Sequence, residues 1–275
     1  MDTCAFDKLF TKNVPHILEN IFFLLDYKSF KNCIEVSSTW KGLLVSEAYR
    51  RKAKSLFQQE ILKDDAKLWK GSKDGNINEV RRLLSIGLLD VNWVDRGYTY
   101  GGMRFSSSTP LQEAVERGQR EVVKVLLDNG ADPDKALKSK IGDTPLTSAS
   151  RSGYKDIIQL LLQKGADPNK ANKCRSTPLH YAIDSKLNES VVKLLLDGGA
   201  DPNKSNSLGR TPLHWAAQNG HRNVARFLLD AGADLNKTDG DGKSPLHWAA
   251  KRNHKDVIQL LVDRGAVAVS GLGIE

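Results

Sequence analysis

Apolar residues recur along most of this chain in one order. Small apolar positions follow a Thr-Pro-Leu step, a glycine intervenes, and larger apolar residues then fall three and four apart before a second glycine. In the copy that begins at Thr211, Leu213, Ala216 and Ala217 come first, then Gly220, then Val224, Phe227, Leu228 and Leu229, then Gly232. That spacing predicts two amphipathic helices per copy, a slim one and a bulkier one. Thr211 can cap the first helix with its hydroxyl, and Pro212 suits the first helical position because its missing N–H would be unpaired there anyway. Gly220 and Gly232 end the helices, and Gly240 and Gly242 mark a loop tip before the next copy at Ser244.

Copies start at Thr109, Thr144, Thr177, Thr211 and Ser244, at intervals of 35, 33, 34 and 33 residues. Leu68, Gly75, Val80, Leu83, Leu84 and Gly87 keep the same spacing without the Thr-Pro start. A fixed period near 33 with this tetrapeptide is the signature of stacked ankyrin units, and on these residues the stretch 64–267 resembles an ankyrin repeat array. The resemblance implies an all-α solenoid of six helix-turn-helix units with hairpin loops. The units fall near 64–107, 108–142, 143–175, 176–209, 210–242 and 243–267, followed by a tail at 268–275. The atypical first unit would close the stack. The fourth unit carries one extra residue near 185–190. The loop after the first unit is longer by about nine residues and brings Tyr98, Tyr100, Arg104 and Phe105 around Gly101-Gly102, a pattern that suits a hairpin. Aromatic and arginine side chains on a loop are common contact anchors, so these four are candidate target-binding residues; the other reading is a hairpin that packs on itself.

Residues 11–57 lack this grammar. Ile17, Leu18, Ile21, Phe22 and Leu25 form one wide apolar stripe; Ser29 can cap a second helix carrying Phe30, Cys33 and Ile34; Trp40, Leu43 and Leu44 supply a third patch. This is more apolar surface than so small a three-helix module can bury, which suggests a partner. The segment resembles an F-box in its Val14-Pro15 opening, its Ile17–Leu25 helix followed by Asp26, its Phe30–Val36 helix, and Trp40-Lys41 with Leu43. It departs from that pattern in a step shorter by one residue between Pro15 and Ile17, and in Val14 where leucine is commoner. The resemblance implies docking on the Skp adaptor of a cullin–RING ubiquitin ligase through Pro15, Leu18, Ile21, Phe22, Leu25, Val36 and Trp40, some of which, Trp40 above all, could instead be internal core. The alternative is a helical cap or dimerising bundle, with the array acting as a scaffold or inhibitor. Between the modules, 46–63 is rich in helix formers and free of Pro and Gly, so residues 58–63 are expected to be a rigid helical junction.

Two columns repeat within the array. Tyr181, Trp215 and Trp248 each follow a Pro-Leu-His step, at intervals of about 10 Å if the units stack at helix-packing distance. They form either an aromatic stripe for a target or the filling of the seam between first helices. Lys135, Lys170, Lys204 and Lys237 each follow the Asp or Asn that closes a unit; they are a basic ladder that could steer an acidic segment, or ordinary solvated lysines.

Composition narrows the chemistry. A formal charge of +8 favours an acidic partner only weakly, and no nucleic-acid-reading motif accompanies it. Cys4, Cys33 and Cys174 make neither a disulfide framework nor a metal spacing. Neither a signal peptide nor a span long enough for a bilayer is visible, so a cytoplasmic or nuclear protein is expected, away from membranes. His180, His214 and His247 stand one per unit, too far apart to share an ion; the ankyrin resemblance implies that they bond to neighbouring backbone. Gly242-Lys243-Ser244 lacks the upstream glycine of a phosphate loop, and Asp239-Gly-Asp241-Gly lacks the further oxygen ligands of a calcium loop. A non-catalytic binding protein without a cofactor is expected.

Overall fold

The computed structural model describes residues 26–36, 47–94, 108–136, 141–184 and 189–267. Among these every regular element is an α-helix, and the loops fold back without forming strands. Helices α1 (Tyr27–Val36) and α2 (Glu47–Leu56) precede six helix pairs. These are α3 (Gln58–Asp74) with α4 (Ile77–Leu84), α5 (Pro110–Glu116) with α6 (Arg120–Asp128), and α7 (Pro145–Ser152) with α8 (Lys155–Gln163). Then follow α9 (Pro178–Asp184) with α10 (Glu189–Asp197), α11 (Pro212–Asn219) with α12 (Arg222–Asp230), and α13 (Pro245–Lys251) with α14 (Lys255–Asp263). First helices pack on first helices and second helices on second helices, giving two parallel rows.

The small residues explain the first row. Ala114, Ala149, Ala182, Ala216 and Ala249 recur once per unit and are buried between neighbouring first helices. Gly71 takes this position in α3, where an added Cβ would touch Val80 at 3.4 Å. In the second row Leu126, Leu161, Leu195, Leu228 and Leu261 are each fully buried. Removing such a side chain from water stabilises by about 2 kcal/mol, and one leucine per unit makes that stabilisation periodic.

At the N-terminal side the helix boundaries differ from the sequence expectation. Asp26, not Ser29, caps α1: its Oδ1 accepts the Ser29 N–H at 2.7 Å, so Ser29 lies inside the first turn. Residues 58–63 are helical and form the first part of α3, which runs unbroken to Asp74. The helical stretch bends at Phe57, a buried ring wedged against Phe30 at 5.0 Å and Tyr27 at 5.4 Å between centroids. Phe30 and Ile34 of α1 are fully buried in the same core that continues through the array.

Candidate functional site

The Thr-Pro-Leu-His steps fix how one unit meets the next. In the fourth unit the Thr177 N–H donates to His180 Nδ1 at 3.2 Å, which leaves the proton on Nε2. Nε2 then donates to the Arg210 carbonyl of the following unit at 3.1 Å. His214 repeats this with the Thr211 N–H at 3.1 Å and the Lys243 carbonyl at 3.0 Å. Burial pushes the His180 pKa down to about 4 and that of His214 below its ordinary value, so both rings are neutral. They hold the solenoid together, and among the described residues no cluster of ligating side chains could hold a metal. Counting back six residues from Gly75 as from Gly220 to His214, Trp69 occupies this histidine position in α3. Its indole N–H reaches Ser108 Oγ at 3.0 Å, and Ser108 donates to Glu113 at 2.6 Å.

A second bond repeats at the loops. Asn92, Asn169 and Asn203 each accept an N–H from the next unit, of Asp132, Asp201 and Asp234, at 2.7–2.8 Å. Each also donates to a carbonyl there, of Gly130, Gly199 and Gly232. Asp134 stands in this column and accepts from Asp167, but it has no N–H to offer Gly165. Burial raises its pKa, so its charge is also disfavoured. Asp134→Asn should therefore stabilise the protein by about 1 kcal/mol, read as a higher urea midpoint at pH 7; an unchanged or lower midpoint would count against the shared role of this column.

The aromatic column fills a seam more than it lines a surface. Trp248 is 8% exposed. Its Nε1 donates to Asp239 at 2.9 Å and the Arg210 guanidinium lies 4.1 Å over its ring. Arg151 covers Tyr181 at 4.4 Å, and the Tyr181 hydroxyl accepts from Asn172 at 2.9 Å. Trp215 is half-buried, and its Nε1 has no partner among the described residues. The contrast with Trp248 has a simple origin. Asp239 spends Oδ1 on the N–H groups of Asp241 and Lys243 and leaves Oδ2 for the indole and the Arg210 guanidinium. Asn206, nine residues before Trp215, spends its single oxygen on Leu208 and Arg210. Of the column, the rings of Tyr181 and Trp215 stay partly exposed.

A family model described as ankyrin repeats (3 copies) matches residues 68–172, 132–206 and 179–270. The chain belongs to the ankyrin repeat family. No curated protein matches it. Ankyrin repeats are typically non-catalytic modules that bind proteins, and no described helix is long and apolar enough to cross a membrane.

Within the ankyrin array, Lys135, Lys170 and Lys204 are exposed on the loop side, while Lys237 turns back to donate to the Asn203 carbonyl at 2.9 Å. Tyr98, Tyr100, Arg104 and Phe105 lie outside the described residues, as do Pro15, Leu18, Ile21, Phe22, Leu25 and Trp40. Val36 ends α1, and its side chain is likewise outside the description. Sequence reasoning passed over the loop staples Asn172, Asn206 and Asp239. Each stands five residues before a Thr or Ser cap and accepts two backbone N–H groups of its own loop. Their constant distance from the cap was a readable signal.

It also passed over the contact that joins α1 to the ankyrin array. Asp64, buried on α3, accepts from Tyr27 at 2.9 Å and pairs with Lys31 at 2.7 Å, both on α1; Lys67 completes the set at 2.7 Å. Burial alone would raise the Asp64 pKa, but the bonds from Lys31, Lys67 and Tyr27 hold it below the ordinary value. The neighbouring Asp65 has one bond, from the Asp90 N–H at 3.1 Å, and burial pushes its pKa up to about 7.

Proposed function

We propose that this protein is a non-catalytic receptor. Its N-terminal module, 11–57, engages the Skp adaptor of a cullin–RING ubiquitin ligase, and its array presents a target protein in the cytoplasm or nucleus. The observation that carries this reading is the Asp64 contact with Tyr27 and Lys31, which fastens helix α1 of the module to the first array helix. A receptor must hold its target at a set distance from the transfer machinery, and a buried ion pair across the Phe57 bend supplies stiffness that a flexible linker would not. The F-box resemblance of residues 14–43 supports the partner. The target surface would comprise Tyr181, Trp215, the edge of Trp248, Lys170, Lys204, Lys237 and the long loop with Tyr98, Tyr100, Arg104 and Phe105.

A second reading has its own observation. Phe30 and Ile34 are fully buried against the array, as they would be in a cap that serves only stability. Adaptor pull-down separates the two. The receptor reading expects binding at micromolar adaptor that is lost in Leu18→Asp/Phe22→Asp while the helical circular-dichroism signal is kept. No binding by the wild-type chain would leave the protein a scaffold with a structural N-terminal bundle.

A further inference from the structure

The inter-helix turns of the last two units form a basic ridge at the end of the helices away from the loops. Residues 218–226 and 251–259 together contain Arg222, Arg226, Lys251, Arg252 and Lys255 against one acid, Asp256. All five cations are exposed, and none takes part in an ion pair among the described residues. Some exposed cations elsewhere do find carboxylates: Arg82 with Glu79, Lys164 with Asp128, Arg264 with Asp230. The corresponding turns of the second and third units hold one excess cation each, with Arg117, Arg120 and Lys124 against Glu116 and Glu121, and Arg151 and Lys155 against Asp156, where each of the last two turns holds an excess of two. Arg222 opens α12, the positive end of the helix dipole, and the first turn of α12 holds no acid to offset it. Glu189 of the preceding unit accepts from Asn223 within the ridge at 3.0 Å and pairs with none of the five cations.

The ridge is also rigid. His254 donates through Nε2 to the Gln218 carbonyl at 3.0 Å, and its ring lies over Gly220 so closely that an added Cβ would stand 2.6 Å from Nδ1. Gly220 itself has φ +75°, which a side chain would disfavour. The cations are therefore displayed from a turn already fixed in place, which lowers the ordering cost of binding.

From this uncompensated, pre-ordered charge we infer that the 218–226/251–259 ridge docks an acidic segment of a partner protein. The chemistry selects this occupant over other polyanions. Exposed aromatics for stacking bases are missing from the ridge, and so are large exposed apolar residues that would enter a membrane. The chain does not supply the acid itself: its longest stretch outside the described residues, 1–25, holds Asp2, Asp7 and Glu19 against Lys8 and Lys12. The inference is independent of the adaptor reading, since it concerns only the far end of the array.

Fluorescence anisotropy on the full chain with a labelled oligoglutamate peptide tests it. Binding should weaken about tenfold between about 50 and about 200 mM salt. Arg222→Glu/Arg252→Glu/Lys255→Glu should lower affinity at least about tenfold, whereas Lys124→Glu/Lys155→Glu/Lys193→Glu, exposed on the second helices of units two to four, should change it by less than about threefold. If the first variant loses its helical signal, the same three positions changed to Gln give the reading. Absence of wild-type binding, equal losses in the two triple variants, or tighter binding of duplex DNA than of the peptide would each overturn the proposal.

Discussion

Asp64→Ala should cost about 3 kcal/mol, because it leaves Lys31 buried without its counter-charge and the Tyr27 hydroxyl without its acceptor. Lys31 is 13% exposed on its side chain and Asp64 only 2%, so solvent screens this pair little, while Lys67, at 58%, contributes little. The loss should be local. Hydrogen exchange in 27–36 should accelerate most, with the distant units α9 to α14 protected as before, since each unit of a solenoid feels mainly its neighbours. A uniform loss of protection through the chain would refute the assignment. The same variant loosens the junction for the receptor reading without cutting α3, which an insertion near Lys63 would do. With Asp64→Ala, target binding should persist while ubiquitination falls.

The second large effect is a pair of opposed titrations. His180 has a folded pKa of about 4 against about 6.5 unfolded, so its contribution to stability is complete above pH 6.5 and is lost as pH falls towards 4. Asp65 has a folded pKa of about 7 against about 3.9 unfolded, so the folded state is favoured by its proton below pH 3.9 and loses that advantage as pH rises through 7. Each amounts to about 3–4 kcal/mol over nearly the same window, with opposite sign. On unfolding, one group takes up a proton where the other releases one. Wild-type stability should therefore change far less between pH 4 and 7 than either group alone implies, with His214 adding in the direction of His180. Single substitutions unmask each half. Asp65→Asn keeps an oxygen for the Asp90 N–H and should gain stability progressively from pH 4 to 8, by about 2 kcal/mol at the top. His180→Gln should instead improve relative to wild type as pH falls. Urea midpoints at pH 4.5, 6 and 8 decide it; a gain for Asp65→Asn that is the same at all three would be the wrong outcome.

What could be read in advance follows from distance along the chain. The helix pairs, the caps and the structural histidines depend on contacts within a unit or at one repeat of spacing, and the Thr-Pro-Leu period displays both. Trp69 was legible as the histidine equivalent only by counting back from Gly75, because its residue type gives no hint of the role. The staples at Asn172, Asn206 and Asp239 were hidden by their ordinary appearance in polar loops, although their register was constant. The Asp64 contact was not legible at all. It joins residues 33 and 37 positions apart across a bend at Phe57, and nothing in the local pattern sets where that bend falls. The aromatic column was visible as a column, but its exposure depends on Arg151 and Arg210, which reach it from elsewhere in the array.

The bonds made by His180, His214, Asn92, Asn169 and Asn203 share a direction. In each, a side chain of one unit reaches a backbone group of the next. A backbone carbonyl or N–H is the same whatever residue carries it, so these bonds do not depend on the neighbour's side chains. Successive units are thereby free to diverge in their exposed residues without renegotiating how they fit. A unit could be exchanged for another of the same register, carrying its recognition surface with it, and the connection on either side would still close.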